Sequence, residues 1–176
     1  MKIVTETNRL ILRHFEEGDA EGFFEMDSNP NVMRYIGVSP LTDIEETRAI
    51  IKRIKQEYID TGVGRIAAVI KETNELIGWA GLKYITFPVN GKVNFYELGY
   101  RFRERYWGKG YGSEAAQVSI DYGFGELKVP QIYAFAMKDN AASRHILTKV
   151  GMTYLKDFYY EGHLCCWFEM KREDWM

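Results

Sequence analysis

The sequence is short of cysteine, histidine and net charge, and each shortage excludes something. Its two cysteines, Cys165 and Cys166, are adjacent. Neighbours on a strand point to opposite faces, so the pair is poorly placed for a disulfide. A disulfide framework is excluded, and a cytoplasmic location is expected. The three histidines, His14, His145 and His163, are scattered, with no HExxH or CxxC, so no metal site is expected. No apolar run approaches the ~20 residues of a membrane span. The stretch Met1 to Thr7 is polar and carries no signal-peptide core. Twenty-three basic side chains against 25 acidic ones leave a net charge of −2. That gives no broad positive field for a non-specific nucleic-acid binder.

What is present is the composition of a folded chain. Apolar residues are 46% and charged residues 27%, both near the globular average, which argues against disorder. The 176 residues suffice for one domain, expected to span 1–176, with one sizeable core. Aromatics reach 15%, enough either to fill that core or to line a cleft.

Hydrophobic spacing predicts the elements. Arg9 to Arg13 alternates as a strand, and residues 18–27 read as a short helix that Asp19 could cap. Thr42 to Glu45 has the form of a capping box. Behind it Ile44, Thr47, Ile51, Ile54 and Tyr58 recur at helical spacing up to about Gly62. Strands follow at Arg65–Ile70, Leu76–Ile85 and Phe95–Arg103, with a hairpin signal at Pro88–Gly91. On the last of these, Tyr96, Leu98, Tyr100 and Phe102 share one face, and Glu97, Gly99, Arg101 and Arg103 the other. Then come a helix over 113–125, a strand at Gln131–Met137, a helix over 141–150, and strands at about 153–160 and 164–171. The sum is a mixed α/β domain: a meander, a strand–helix–strand unit and a terminal hairpin.

The most informative stretch is Arg105 to Ala115, which places Gly108, Gly110 and Gly112 between a strand and a helix. Glycine permits positive φ and lets a ligand approach the backbone N–H groups. The helix behind adds unpaired N–H donors and the positive end of its dipole. The combination suits a phosphate or pyrophosphate, flanked by Arg105 and Lys109; a ligand-free glycine turn is the alternative. Gly110-x-Gly112-x-x-Ala115 superficially fits a dinucleotide fingerprint. That fingerprint follows directly on a buried apolar strand, whereas the strand here alternates and charged residues intervene. No GxxxxGK[ST] exists, so a P-loop is excluded.

Arg105-x-x-Gly108-x-Gly110 resembles the acetyl-CoA loop of the GNAT N-acetyltransferases. The longer run from Leu98 to Ala115 is similar to the RimJ/RimL branch of that family, as are Thr7–Arg13 and the segment Asn140-x-x-Ser143 to Met152. The resemblance implies a mostly antiparallel sheet of six or seven strands, splayed between the fourth (Phe95–Arg103) and the fifth (Gln131–Met137). Acetyl-CoA would sit in the gap. The backbone of Phe102 and Arg103 would pair with its pantetheine. Arg105 would flank the loop, and the N–H groups of Trp107, Gly108, Lys109, Gly110, Tyr111, Gly112 and Ser113 would hold its pyrophosphate. Asn140 would position the cofactor amides or cap its helix.

The implied reaction is direct acetyl transfer to an amine. Glu97, beside the expected thioester, is the candidate base; the alternative is a structural pairing with Arg101 or another charge. Ser143 is the candidate acid for the departing thiol, in competition with Tyr154, Tyr159 and Tyr160 and with an ordinary first-turn helix role as its alternative, and the oxyanion donors would be backbone N–H groups between Leu98 and Phe102. The branch's acid before the final hairpin turn falls on Phe158 and is unmatched. Gly99 could mark a bulge or relieve crowding. The acceptor would be a protein N-terminus, polyamine, aminoglycoside or other small amine, met by Met33, Tyr35, Tyr84, Phe87, Tyr159 and Tyr160 with Asp27, Asp43, Asp157 and Glu161. Homodimers are common in relatives. A non-catalytic acyl-CoA-binding module and a dinucleotide-binding oxidoreductase stand as alternatives.

Overall fold

The computed structural model describes residues 1–175. Eight strands form one sheet: β1 (Ile3–Glu6), β2 (Leu10–Arg13), β3 (Ile66–Ile70), β4 (Leu76–Ile85), β5 (Phe95–Phe102), β6 (Gln131–Met137), β7 (Thr153–Tyr160) and β8 (His163–Lys171). Their spatial order is β1-β2-β3-β4-β5-β6-β8-β7. All neighbours are antiparallel except β5 and β6. The sheet thus has one strand more than expected. The polar N-terminal stretch pairs with β2, and the splayed strands become the fifth and sixth.

Five α-helices accompany the sheet: α1 (Ala20–Asp27), α2 (Pro30–Met33), α3 (Ile44–Thr61), α4 (Tyr111–Gly125) and α5 (Ala141–Lys149). Strand alternation divides the core between two faces. On one face Ala67, Val69 and Leu76 pack with Phe23 and Met26 of α1 and Ile51 and Ile54 of α3. On the other, Leu82, Leu98 and Ile132 pack with Ala116, Ile120 and Phe124 of α4 and Leu147 of α5. The adjacent cysteines follow the same alternation: Cys165 joins the Trp167 cluster on the α1–α3 side, Cys166 joins the α4–α5 side, and both are free.

Two helix starts differ from expectation. The capping box of α3 is built by Asp43 and Glu46, one residue later than Thr42 and Glu45, and Glu46 also accepts from the Thr42 N–H at 3.1 Å. Asp19 gives no side-chain cap to α1. It is buried, clamps Arg13 at 2.7 and 2.8 Å, and accepts from the Glu16 N–H.

The opening that matters lies between β5 and β6. They are in register only at Tyr96↔Ile132 and Glu97↔Tyr133. Beyond that, β5 stays with β4 as far as Gly78↔Phe102, and β6 stays with β8 as far as Met137↔Cys165. The Arg103 N–H donates to the Ile77 carbonyl, so alternate residues of this segment bond to β4. The backbone groups of Leu98, Tyr100 and Phe102 therefore face the gap.

Candidate active site

The splay opens a cleft of about 260 Å³. Its two halves follow the two faces of the sheet. On the α4–α5 side, Leu98 and Tyr100 of β5 meet Asn140, Ser143 and Leu147. On the α1–α3 side, Glu97, Gly99 and Arg101 of β5 meet Arg65, Trp79, Tyr35 and His163.

The glycine loop lies at the Phe102 end of this gap. A short 3-10 turn (Glu104–Tyr106) leads into it, and Gly110 forms the N-cap of α4 with φ +84°. Gly108 also has positive φ, at +72°. Side chains other than glycine avoid this region. A Cβ on Gly110 would also approach Arg9 Nη2 to 3.3 Å. The first intrahelical bond of α4 runs from the Glu114 N–H to the Gly110 carbonyl. Among the described residues, the N–H groups of residues 108–113 have no protein acceptor. Six unpaired donors at the start of a helix fit a pyrophosphate without needing a basic surface.

Several predicted cofactor contacts are placed otherwise. The run of free donors begins at Gly108, because the Trp107 N–H is bonded to the Glu104 carbonyl at 3.0 Å. The Trp107 indole instead bonds the Phe102 carbonyl at 2.8 Å and braces the end of β5. Arg103 is unavailable. Its N–H goes to Ile77, its carbonyl accepts from the Tyr106 N–H, and its buried guanidinium is held by Glu25, Glu75 and the Leu76 carbonyl. The Arg105 guanidinium is likewise directed at Glu75 and Glu25. Lys109 holds its ammonium 5.3 Å from the Tyr106 ring centroid, and Tyr111 lies under the Arg9 guanidinium at 4.3 Å.

Arg9 ties the start of β2 to this loop. Its guanidinium bonds Glu114 through Nε at 2.7 Å and through Nη2 at 2.6 Å, and the Lys109 carbonyl through Nη1 at 3.0 Å. Burial pulls the Glu114 carboxyl upward, but the Thr7 hydroxyl and Arg9 outweigh it and hold it below the ordinary value.

On the α1–α3 side, Glu97 pairs with Arg65 rather than Arg101: Arg65 Nη2 meets Glu97 Oε2 at 2.6 Å. Arg65 Nη1 is shared between the carbonyls of Gly81 (2.7 Å) and Glu97 (2.9 Å). Gly99 is not a bulge, since the register runs unbroken through Gly81↔Gly99. It leaves room for Arg65. Arg101 pairs with the buried Asp27 at 2.5 Å.

On the α4–α5 side, the Tyr100 hydroxyl donates to the Ser143 carbonyl at 2.9 Å and lies 3.1 Å from Ser143 Oγ. Burial pushes the Tyr100 hydroxyl well above the ordinary tyrosine value, against the pull of Ser143, so it stays protonated. Asn140 caps α5, accepting from the Ser143 N–H at 3.1 Å, and also lines the cleft.

The expected acceptor set is only partly assembled. Tyr35, Tyr160 and Glu161 line the cleft; Tyr84, Phe87 and Tyr159 do not. Asp27 is buried behind Arg101, Asp43 caps α3, and Asp157 pairs with Lys138. Met33 and Phe158 are buried in the core. Arg65 and Tyr100 escape sequence reading because an arginine opening a strand and a tyrosine on its core face carry no signal of function. Arg9 and Glu114 both sit in recognisable segments, but nothing in the sequence links residues 105 positions apart.

A family model described as "Acetyltransferase (GNAT) domain" matches residues 9–153. The chain is 35% identical over 144 residues to the uncharacterized N-acetyltransferase p20 of Bacillus licheniformis, covering 82% of this chain and 79% of that one. Its fold matches the crystal structure of a GNAT-family acetyltransferase from Bacillus anthracis with a TM-score of 0.80, 28% identity and coverage of 98% and 99%. It also matches a spermidine N-acetyltransferase from Vibrio cholerae in complex with CoA and spermine, with a TM-score of 0.76, 20% identity and coverage of 96% and 98%. With the gap between β5 and β6 and the amide cradle at its mouth, these likenesses show that the chain belongs to the GNAT family, acetyltransferases that draw the acetyl group from acetyl-CoA.

Proposed function

We propose that this chain is a cytosolic N-acetyltransferase of the RimJ/RimL type, with a small amine or a peptide N-terminus as acceptor. The observation that carries the reading is the continuity of the gap. It runs from the free N–H groups of residues 108–113, past the inward-facing backbone of Leu98, Tyr100 and Phe102, to Glu97 on one wall and Ser143 on the other.

Acetyl-CoA supplies the activated acetyl thioester. The cradle binds its pyrophosphate, and the backbone of Leu98 and Tyr100, with the Phe102 N–H, pairs with the pantetheine amides; the Phe102 carbonyl is held by the Trp107 indole. Glu97 presents one oxygen, Oε2, to Arg65, which leaves the other for the acceptor. The carboxylate is the group that takes up the proton the attacking nitrogen must lose to become an amide. It accepts that proton as the C–N bond forms, directly or through one water. Ser143 Oγ, fixed by Tyr100, donates toward the departing thiolate.

The pairing of Glu97 with Arg65 favours a second reading, in which Glu97 is structural and the chain binds acyl-CoA without turnover. Thiol release from acetyl-CoA across a panel of peptides, polyamines, aminoglycosides and amino acids decides. Glu97→Gln should abolish release with acetyl-CoA affinity unchanged; an inert panel with intact acetyl-CoA binding supports the second reading.

A further inference from the structure

Two guanidinium groups flank the Trp79 indole on the α1–α3 side of the cleft. Arg65 Cζ lies 5.2 Å and Arg101 Cζ 5.1 Å from its centroid. Their bonding differs. Arg65 spends both terminal nitrogens on Glu97 and on two backbone carbonyls. Arg101 spends only Nη1, on Asp27. Its Nε is buried with no partner, and its Nη2 donates to no protein group. A buried donor left unpaired keeps its full desolvation penalty. The Arg101 side chain is only 15% exposed, and Asp27 beneath it 4%, so this is no freely solvated surface arginine.

The unused Nε–Nη2 edge is one side of a planar fork, which matches the two oxygens of a carboxylate. Asp27 and the indole hold the guanidinium in place, so little ordering entropy remains to be lost on binding. The charge balance of this half of the cleft points the same way. Glu97 is neutralised by Arg65, and Asp27 by Arg101. Of the remaining lining side chains, Glu161 is the only carboxylate. A polycation would find one unpaired acid there; a carboxylate would find a prepared fork.

We propose that the acceptor amine carries a carboxylate, and that the Nε–Nη2 edge of Arg101 binds it. This rests on the acetyl-transfer reading of the same cleft. Glu97 and Arg101 share a strand face four residues apart. At a rise of about 3.4 Å per residue their Cα atoms lie about 13–14 Å apart. The reacting amine beside Glu97 and the carboxylate at Arg101 are therefore several bonds apart, as in a short peptide rather than a single α-amino acid.

The test compares triglycine with triglycinamide and spermidine in thiol release from acetyl-CoA. Wild type should use triglycine at least about tenfold better than its amide, mainly through a lower KM, because only the acid completes the fork. Arg101→Lys keeps a cation for Asp27 but has no fork. It should bring the acid-to-amide ratio near one and leave the KM for acetyl-CoA unchanged. An amide used as well as the acid, a ratio unmoved in Arg101→Lys, or a preference for spermidine would overturn the proposal. Binding is read separately from turnover, as the thermal shift given by N-acetyl-triglycine in the presence of CoA. Stabilisation of wild type but not of Arg101→Lys supports the proposal even if no amine releases thiol, in which case the acetyl-transfer reading alone fails. No stabilisation of wild type overturns it.

Discussion

The guanidinium of Arg65 occupies the space where a side chain on Gly99 would stand: an added Cβ would come within 2.6 Å of Arg65 Cζ and Nη2. No real contact is that short, so residue 99 must lack a side chain if Arg65 is to cross β4 and reach Glu97 on β5. The glycine thus serves the arginine, and the arginine fixes the carboxylate.

Gly99→Ala should therefore displace Arg65 without unfolding the sheet, since the clashing atoms end a flexible side chain. Arg65 would lose its bonds to Gly81 and Glu97, each worth about 1 kcal/mol. We expect a fall in Tm of a few degrees, a fall in kcat of about tenfold, and an unchanged KM for acetyl-CoA, because a positioning contact acts on the chemical step. Steady-state kinetics at saturating acetyl-CoA checks this; an unaltered kcat would mean that Arg65 does not position Glu97.

The loop glycines should rank by geometry. Gly110→Ala combines a left-handed φ, worth about 1–2 kcal/mol of strain, with a 3.3 Å approach to Arg9. Gly108→Ala meets the strain but open space. Gly112→Ala keeps helical backbone and displaces only the tip of Ile146 from 2.9 Å. CoA affinity measured by calorimetry should fall most for Gly110→Ala, by about tenfold, less for Gly108→Ala and least for Gly112→Ala. A different order would place the ligand elsewhere.

Periodicity located nearly every strand and helix, because buried faces force alternation on β5 and helical spacing on α3. It missed β1, whose outer edge faces solvent and whose residues need not be apolar. The glycine loop was legible because positive φ demands a particular residue type. The partners of Glu97, Arg101 and Glu114 were not, because choosing among 23 basic and 25 acidic side chains needs the tertiary fold. Arg103 differs for a related reason: the resemblance implied that its backbone pairs with pantetheine, but its N–H and carbonyl bond Ile77 and Tyr106, and its buried guanidinium is paired with Glu25 and Glu75.

The Arg9–Glu114 pair carries a pH signature. The folded Glu114 carboxyl lies below its ordinary value, so the native state binds fewer protons than the unfolded chain around pH 4. The stabilisation is present above the unfolded value of about 4.3 and is lost as pH falls through the folded one. Both side chains are partly exposed, so solvent screening limits the effect to about 0.5–1 kcal/mol. Arg9→Ala should lower Tm by a few degrees at pH 7, and the gap from wild type should close as pH drops below about 4. A gap independent of pH would assign the loss to packing of Arg9 on Tyr111 instead.

Tyr100 and Ser143 should behave as one unit. The Tyr100 proton is committed to the Ser143 carbonyl, and burial keeps it on the phenol across the working pH range. Tyr100 therefore accepts from the Ser143 hydroxyl at rest and does not itself titrate; the serine O–H turns from the phenol to the sulfur as the thiolate departs. Ser143→Ala and Tyr100→Phe should each lower kcat, the first more than the second, and the double variant should be no slower than Ser143→Ala alone. Additive losses would mean that the two hydroxyls act independently. The alkaline limb of the rate profile should also be unmoved in Tyr100→Phe; if it shifts, the phenol and not the serine supplies the proton.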